Sequence, residues 1–215
     1  ITLQTKVLPS DANHAPTFQG SKVDVPSGEE VHLDLGPLAQ DPDPADQGHL
    51  AFAVRGAVPD GFTASVDGST LKVRSKDGVL AGRTGSLTVT ATDGHSDPVA
   101  AQFTLTATAS NRPLAIANDV LVPDANAGRT ERVDVLSHTV DPFPEAPLRI
   151  VSAVVEAGQA EGGAQIDGGN VIVTPAKDYR GMLVVRYTVQ DKTGDPSRQV
   201  DGRIRLTVRG VPDAP

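Results

Sequence analysis

The sequence contains no cysteine and no tryptophan. The first absence excludes disulfides, thiolate metal sites and cysteine nucleophiles together. It does not exclude secretion, because domains of ordinary size can stand on hydrophobic burial alone. Aromatic residues make up only 3% of the chain, so a core has to be built from Val, Leu, Ile and Ala, a β-branched mixture that favours strands. Positive charge is also in short supply: 19 Lys and Arg stand against 27 Asp and Glu, for a net charge of -8. That balance speaks against nucleic acid and anionic membrane surfaces, which are held by clustered Lys and Arg. No apolar run approaches the roughly 20 residues of a membrane span, and the opening Ile1-Thr2-Leu3-Gln4 lacks the pattern of a signal peptide.

What the chain does have is Gly, at 21 residues, and Pro, at 17, spread so that long helices are hard to place. An all-β class follows. The chain also repeats itself. Ile1-Thr2-Leu3-Gln4-Thr5-Lys6-Val7 returns as Phe103-Thr104-Leu105-Thr106-Ala107-Thr108 and again as Ile204-Arg205-Leu206-Thr207-Val208. Each copy precedes a Pro-bearing linker: Asp11 to Pro16, Ser110 to Pro113, and Val211 to Pro215. Between them Leu33-Asp34-Leu35 recurs as Val133-Asp134-Val135, and Asp41-Pro42 as Asp141-Pro142. Asp67-Gly68 recurs as Asp167-Gly168, and Asp93, Asp97 and Pro98 as Asp191, Asp195 and Pro196.

Period-two alternation bounded by Gly, Pro, Asp and Asn predicts seven strands per repeat. They fall at 17–25, 29–35, 50–55, 62–66, 70–74, 85–92 and 100–108, then at 115–122, 129–136, 148–156, 164–167, 170–174, 182–190 and 200–208. Such spacing predicts two tandem seven-stranded Greek-key β-sandwiches. The domains read as 13–110 and 111–210, with 1–12 the last strand of a preceding module plus linker, and 211–215 a linker to a following one.

The second module resembles the cadherin-like tandem repeats of large bacterial surface proteins. The resemblance runs through Ala117-Asn118-Asp119, Val133-Asp134-Val135-Leu136, Asp141-Pro142, Thr174-Pro175-Ala176-Lys177-Asp178-Tyr179-Arg180-Gly181 and Tyr187-Thr188-Val189-Gln190-Asp191. The first module resembles the immunoglobulin-like or cadherin-like repeats of the same kind of protein through Pro59-Asp60-Gly61-Phe62, Asp67-Gly68 and Val89-Thr90-Ala91-Thr92-Asp93-Gly94. This implies a secreted or cell-surface location, a role in adhesion or as a spacer, and, in some members, calcium held between modules. The implied partners are neighbouring repeats of the same chain and a surface protein or glycan ligand. Where such repeats often carry Asp-x-Asp-Gly-Asp, the second module reads Asp141-Pro142-Phe143-Pro144-Glu145, which argues against a metal there.

Two clusters carry possible chemistry. Asp93-Gly94-His95-Ser96-Asp97 holds every member of a hydrolase triad, but a working triad draws its members from separate segments, so these neighbours predict a polar loop and no catalysis. The histidines His14, His32, His49, His95 and His138 have no zinc-ligand spacing. Asp41-Pro42-Asp43-Pro44-Ala45-Asp46 reads either as a rigid solvated acidic loop or as a calcium site. In the second case Asp11, Asn13, Asp41, Asp43, Asp46 and Asp93 meet at one pole of the first module and offer the oxygens that calcium prefers. The matching pole of the second module has Asn111, Asp119, Asp141, Glu145 and Asp191, with Phe143 in place of a second acidic ligand, and is expected to bind weakly or not at all. The function expected is a non-catalytic adhesion or spacer segment. The alternative, a carbohydrate- or protein-binding accessory module of a secreted enzyme, predicts an aromatic platform for which Tyr179, Tyr187 and five Phe leave little material.

Overall fold

Along strand Thr70–Ser75 the side chains of Leu71, Val73 and Ser75 are buried, while Thr70, Lys72 and Arg74 are only partly so. This two-residue period, repeated strand after strand, builds two-layered structures in which one face of each sheet supplies the core. The computed structural model describes residues 12–156 and 161–209, and the chain divides into two compact units, Ile1–Ser110 and Asn111–Pro215. The expected strand at 1–7, Asp11 and the linker 211–215 lie outside the described residues.

In the first unit the strands are β1 (Thr17–Phe18), β2 (Lys22–Pro26), β3 (Glu30–Asp34), β4 (Ala39–Gln40), β5 (Ala51–Arg55), β6 (Phe62–Asp67), β7 (Thr70–Ser75), β8 (Thr84–Thr92) and β9 (Val99–Thr108). One sheet has the order β2-β9-β8-β5 and the other β3-β7-β6, so the chain changes sheet between β2 and β3, β5 and β6, and β7 and β8. The β2–β9 pairing is parallel and all others are antiparallel. Hairpin β6–β7 turns on Gly68 and Ser69 with Asp67 opposite Thr70. Gly68 has φ 59° and Ser69 is not in the positive-φ region, which is the type II′ pattern that matches strand twist.

The second unit repeats the plan with β10 (Ile116–Ala117), β11 (Val120–Asn126), β12 (Glu131–Asp134), β13 (Thr139–Val140), β14 (Arg149–Val155), β15 (Gly162–Asp167), β16 (Asn170–Pro175), β17 (Gly181–Gln190) and β18 (Val200–Arg209). Its sheets are β11-β18-β17-β14 and β12-β16-β15, again with a parallel pairing, here β11–β18.

One expectation is corrected in both units. The single strands read at 17–25 and 115–122 are each broken in two, because the chain first pairs with β4 or β13 and then crosses to lie beside the last strand. In the first unit the break passes Gly20, where an added Cβ would sit 1.8 Å from the Gln102 carbonyl oxygen. β4 and β13 are two residues long, too short to show alternation in the sequence.

The cores differ in how they fill the same space. The first uses Phe62 and Phe103, both buried, with Phe18 packed 5.6 Å from Phe52 and 5.8 Å from Phe103 between ring centroids. The second has Tyr187, fully buried, among Val and Leu. Tyr187 pairs across the sheet with Gly202, and an added Cβ on Gly202 would lie 2.4 Å from the tyrosine ring. The corresponding pair in the first unit is Val89 with Ala101. A larger side chain on one strand is matched by a smaller one on its neighbour, as close packing demands. The Tyr187 hydroxyl donates to the Asn118 carbonyl oxygen at 2.6 Å, and burial, with the Asp119 charge behind it, pushes the phenol up to about 12.

Candidate metal centre

The pole of the first unit is built where β4 ends. Asp41 follows directly, and its Oδ1 accepts the Asp43 backbone N–H at 2.8 Å, a tight turn that Pro42 on one side and Pro44 on the other help to fix. The Asp46 N–H then donates to the Asp43 carbonyl oxygen at 3.0 Å and brings a third carboxylate back over the loop. One carboxylate oxygen from each of Asp41, Asp43 and Asp46 lies within 4.8 Å of the others. Asp41 is only 4% exposed, and its Oδ2 is buried without a hydrogen-bond partner among the protein's own groups. A buried carboxylate oxygen with no donor is costly to keep, and most such atoms in folded proteins are satisfied. An open groove of about 440 Å³, lined by Ala39, Gln40, Asp41, Gln47, Gly48 and Leu50, runs beside it.

Two further segments reach this pole. His14 donates its backbone N–H to Asp43 Oδ2 at 2.7 Å and sets its ring Nδ1 3.1 Å from Asp43 Oδ1. The His14 N–H, then its ring, hold the Asp43 carboxyl below its usual range, while partial burial and the nearby Asp93 charge act in the opposite sense. Asn13 donates its side-chain amide to Asp93 Oδ2 at 2.9 Å. Asp93 Oδ1 accepts the backbone N–H groups of His95 and Ser96, each at 2.8 Å. Led by the Asn13 amide, these donors hold Asp93 well below the usual carboxylate range.

Of the six donors expected from the sequence, then, Asp41, Asp43 and Asp46 are gathered, Asn13 and Asp93 are bonded to each other beside them, and Asp11 lies outside the described residues. His14 was not foreseen; its only signal was a position next to Asn13 in the linker. The triad-like loop is an ordinary turn: the Ser96 hydroxyl donates to the Asp93 carboxylate at 3.0 Å, where a nucleophile would face the imidazole of His95.

The same pole of the second unit begins alike, with Asp141 Oδ1 accepting the Phe143 N–H at 2.8 Å. It then diverges. Phe143 is fully buried, with the Arg112, Lys192 and Arg198 cationic groups 4.7, 4.8 and 5.8 Å from its ring centroid. Lys192 Nζ donates to Glu145 Oε1 at 2.6 Å, and Arg198 Nε to Asp191 Oδ2 at 2.7 Å. The Lys192 bond is the first cause of the lowered Glu145 carboxyl. Lys192, Arg198 and the packing role of Phe143 were not read from the sequence.

Residues 110–201 match the model of the family described as bacterial Ig domain, a span that runs from the linker to the start of β18. No curated protein matches the chain in sequence. Among solved structures, the chain is similar to the endo-fucoidan hydrolase MfFcnA4 from glycoside hydrolase family 107, at 15% identity and TM-score 0.41, over 95% of this chain and 30% of that one. It is similar to human CDH23 EC21-23 at 17% identity and TM-score 0.39, over 93% of this chain and 71% of that one. A SusE-like surface located polysaccharide binding protein from Bacteroides thetaiotaomicron is similar at 13% identity and TM-score 0.35, over 94% of this chain and 35% of that one. The chain thus spans about a third of the hydrolase and of the polysaccharide binding protein.

Proposed function

We propose that the chain is a non-catalytic segment of a repeated extracellular array, an adhesion or spacer portion of a large bacterial surface protein, whose first unit is stabilised by calcium. The observation that carries this reading is the repetition. Both units share strand order, the parallel edge pairing, the Gly-led hairpin and the Asp-Pro turn, and each has its own core. Repeating a self-contained sandwich is a direct way for a chain to gain length and surface without changing its chemistry. The bacterial Ig domain match over 110–201 supports an extracellular setting.

Calcium suits the first unit because the donors there are oxygens. Asp41, Asp43, Asp46 and Asp93 supply carboxylates, and Asn13 keeps its amide oxygen while its nitrogen serves Asp93. Zinc would ask for His or Cys, and magnesium for a stricter octahedron. The buried Asp41 Oδ2 is an atom that a cation would satisfy. An ion would compete with His14 for Asp43.

Amide hydrogen exchange of the full chain, read strand by strand, tests the metal. Extracellular calcium modules bind at roughly 1 mM, so 10 mM calcium chloride is expected to stabilise the first unit by about 1.4 kcal/mol and to slow exchange in β8 and β9 about tenfold. Asp41→Ala combined with Asp43→Ala removes the effect. An unchanged exchange rate in the wild type makes the cluster a solvated turn. For the array itself, the expected outcome is no hydrolysis of, and no retention on, insoluble polysaccharides. Retention that survives high salt makes the chain an accessory binding module instead.

A further inference from the structure

We infer that Arg198 is the resident cation of the second unit: its guanidinium takes an oxygen-lined position of the kind a divalent ion would take, so this unit is metal-independent by construction. Three donor nitrogens meet three oxygens. Nε donates to Asp191 Oδ2 at 2.7 Å, Nη1 to the Arg112 carbonyl at 2.9 Å and Nη2 to the Pro113 carbonyl at 2.6 Å. One carboxylate and two main-chain carbonyls are the ligand types that a hard cation selects. The Asp191 side chain is completely buried and that of Arg198 is 9% exposed, so neither charge is compensated by solvent.

An insertion delivers this arginine. In the first unit the loop from Asp93 reaches β9 through Asp97-Pro98-Val99, whereas in the second the loop from Asp191 reaches β18 through Asp195-Pro196-Ser197-Arg198-Gln199-Val200. The second loop is three residues longer. Those residues continue a 3-10 turn, Pro196–Arg198, whose start is capped by Asp195 Oδ1 accepting the Ser197 N–H at 2.8 Å. The turn points Arg198 into the pole, where it is 7% exposed.

The rest of the pole fits the same account. Where the first unit has the carboxylate of Asp43, the second has Phe143, whose ring faces Arg112, Lys192 and Arg198. Glu145 has Lys192 bonded to it and Arg112 at 3.7 Å, and Asp191 has Arg198, so these acids already have cations of the chain beside them. At the first pole Asp41, Asp43, Asp46 and Asp93 have no Lys or Arg bonded to them among the described residues. A cation brought by the chain at one pole answers a cation taken from solution at the other.

The experiment is hydrogen exchange of the full chain with and without 10 mM calcium chloride, comparing β17 and β18 with β8 and β9. It does not depend on calcium binding to the first unit, which is read separately from its own strands. In the wild type, exchange in β17 and β18 is expected to be unchanged by calcium. Arg198→Ala, which strands a buried carboxylate, is expected to speed it by about 100-fold or more, and calcium then to restore about tenfold. Should Arg198→Ala fold poorly, deletion of Ser197 to Gln199 together with Phe143→Asp, Ala146→Asp and Lys192→Gly recreates the pattern of the first pole and is expected to gain whatever calcium response the first pole has. Calcium protection of β17 and β18 in the wild type overturns the inference at once, whatever the variants do. So does an Arg198→Ala chain as stable as wild type, or a folded pair of variants that both ignore calcium while β8 and β9 of the same chains respond to it.

Discussion

Asp93 and Asp191 stand at the same point of the two units, immediately after β8 and β17, yet the first is partly exposed among neutral donors and the second is sealed against a guanidinium. The backbone scaffold around them is alike, down to the turn in which Asp41 and Asp141 each accept an N–H two residues on. What differs is the source of positive charge. A carboxylate cluster at the end of a sandwich has to be hydrated, metallated or paired, and the two units illustrate different choices on one fold. The lesson is that a strand pattern can be copied while the electrostatics of its ends are rewritten by a three-residue insertion and a few exchanges, among them Asp43 to Phe143, Asp46 to Ala146 and Gly94 to Lys192.

The sharpest test of that contrast is to make the same substitution twice. Asp191→Ala removes the partner of a buried arginine and is expected to cost the second unit about 3 to 5 kcal/mol, read as a lowered urea midpoint for β17 and β18. Asp93→Ala is expected to cost the first unit clearly less, because its partners are neutral and reachable by water. Equal losses at the two positions break the comparison.

Much of the fold was legible because alternation is strong where one face is buried. The strand read at 70–74 is Thr70–Ser75, and that read at 85–92 is Thr84–Thr92. The sheet-switching start of each unit was not legible, since β4 and β13 show their role only through pairing across some twenty residues. At the pole, the carboxylates were visible as types and spacing. His14 and Arg198 were not, because each acts through a contact at long sequence separation: 29 residues from His14 to Asp43, and 85 or 86 from Arg198 to the carbonyls it binds. The longer loop before β18 was the available clue, and it is readable only when the two repeats are laid side by side.

The cores offer a smaller contrast. Tyr187→Phe keeps the ring over Gly202 but deletes the bond to the Asn118 carbonyl, and is expected to destabilise the second unit by about 1 kcal/mol in urea unfolding. The first unit, with Val89 over Ala101 at that place, has no such bond to lose. A loss of 3 kcal/mol or more would mean that the hydroxyl organises the β10–β11 crossing and does not merely satisfy it.

Acidification should produce the mildest effect, and calcium should separate the units within it. Asp43 and Asp93 are held below their unfolded values near pH 3.9, chiefly by the His14 N–H and the Asn13 amide respectively. Groups depressed in this way contribute stability that is complete above the unfolded value and is lost as pH falls through the folded one. In the second unit Glu145, through Lys192, and Asp195, through Ser197, are depressed in the same direction. All four are solvent-reachable, so in metal-free buffer both units are expected to lose a modest amount of exchange protection as pH falls below about 4, the loss in the first unit running on below about pH 3 because Asp93 is held so low. In 10 mM calcium the outcome diverges. Protonated carboxylates no longer ligate, so the calcium increment of β8 and β9 should disappear over the same fall in pH. The profile of β17 and β18 should overlay its metal-free counterpart, because a guanidinium stays charged throughout. A calcium-dependent acid profile in those two strands would show that the second pole takes up metal in spite of Arg198.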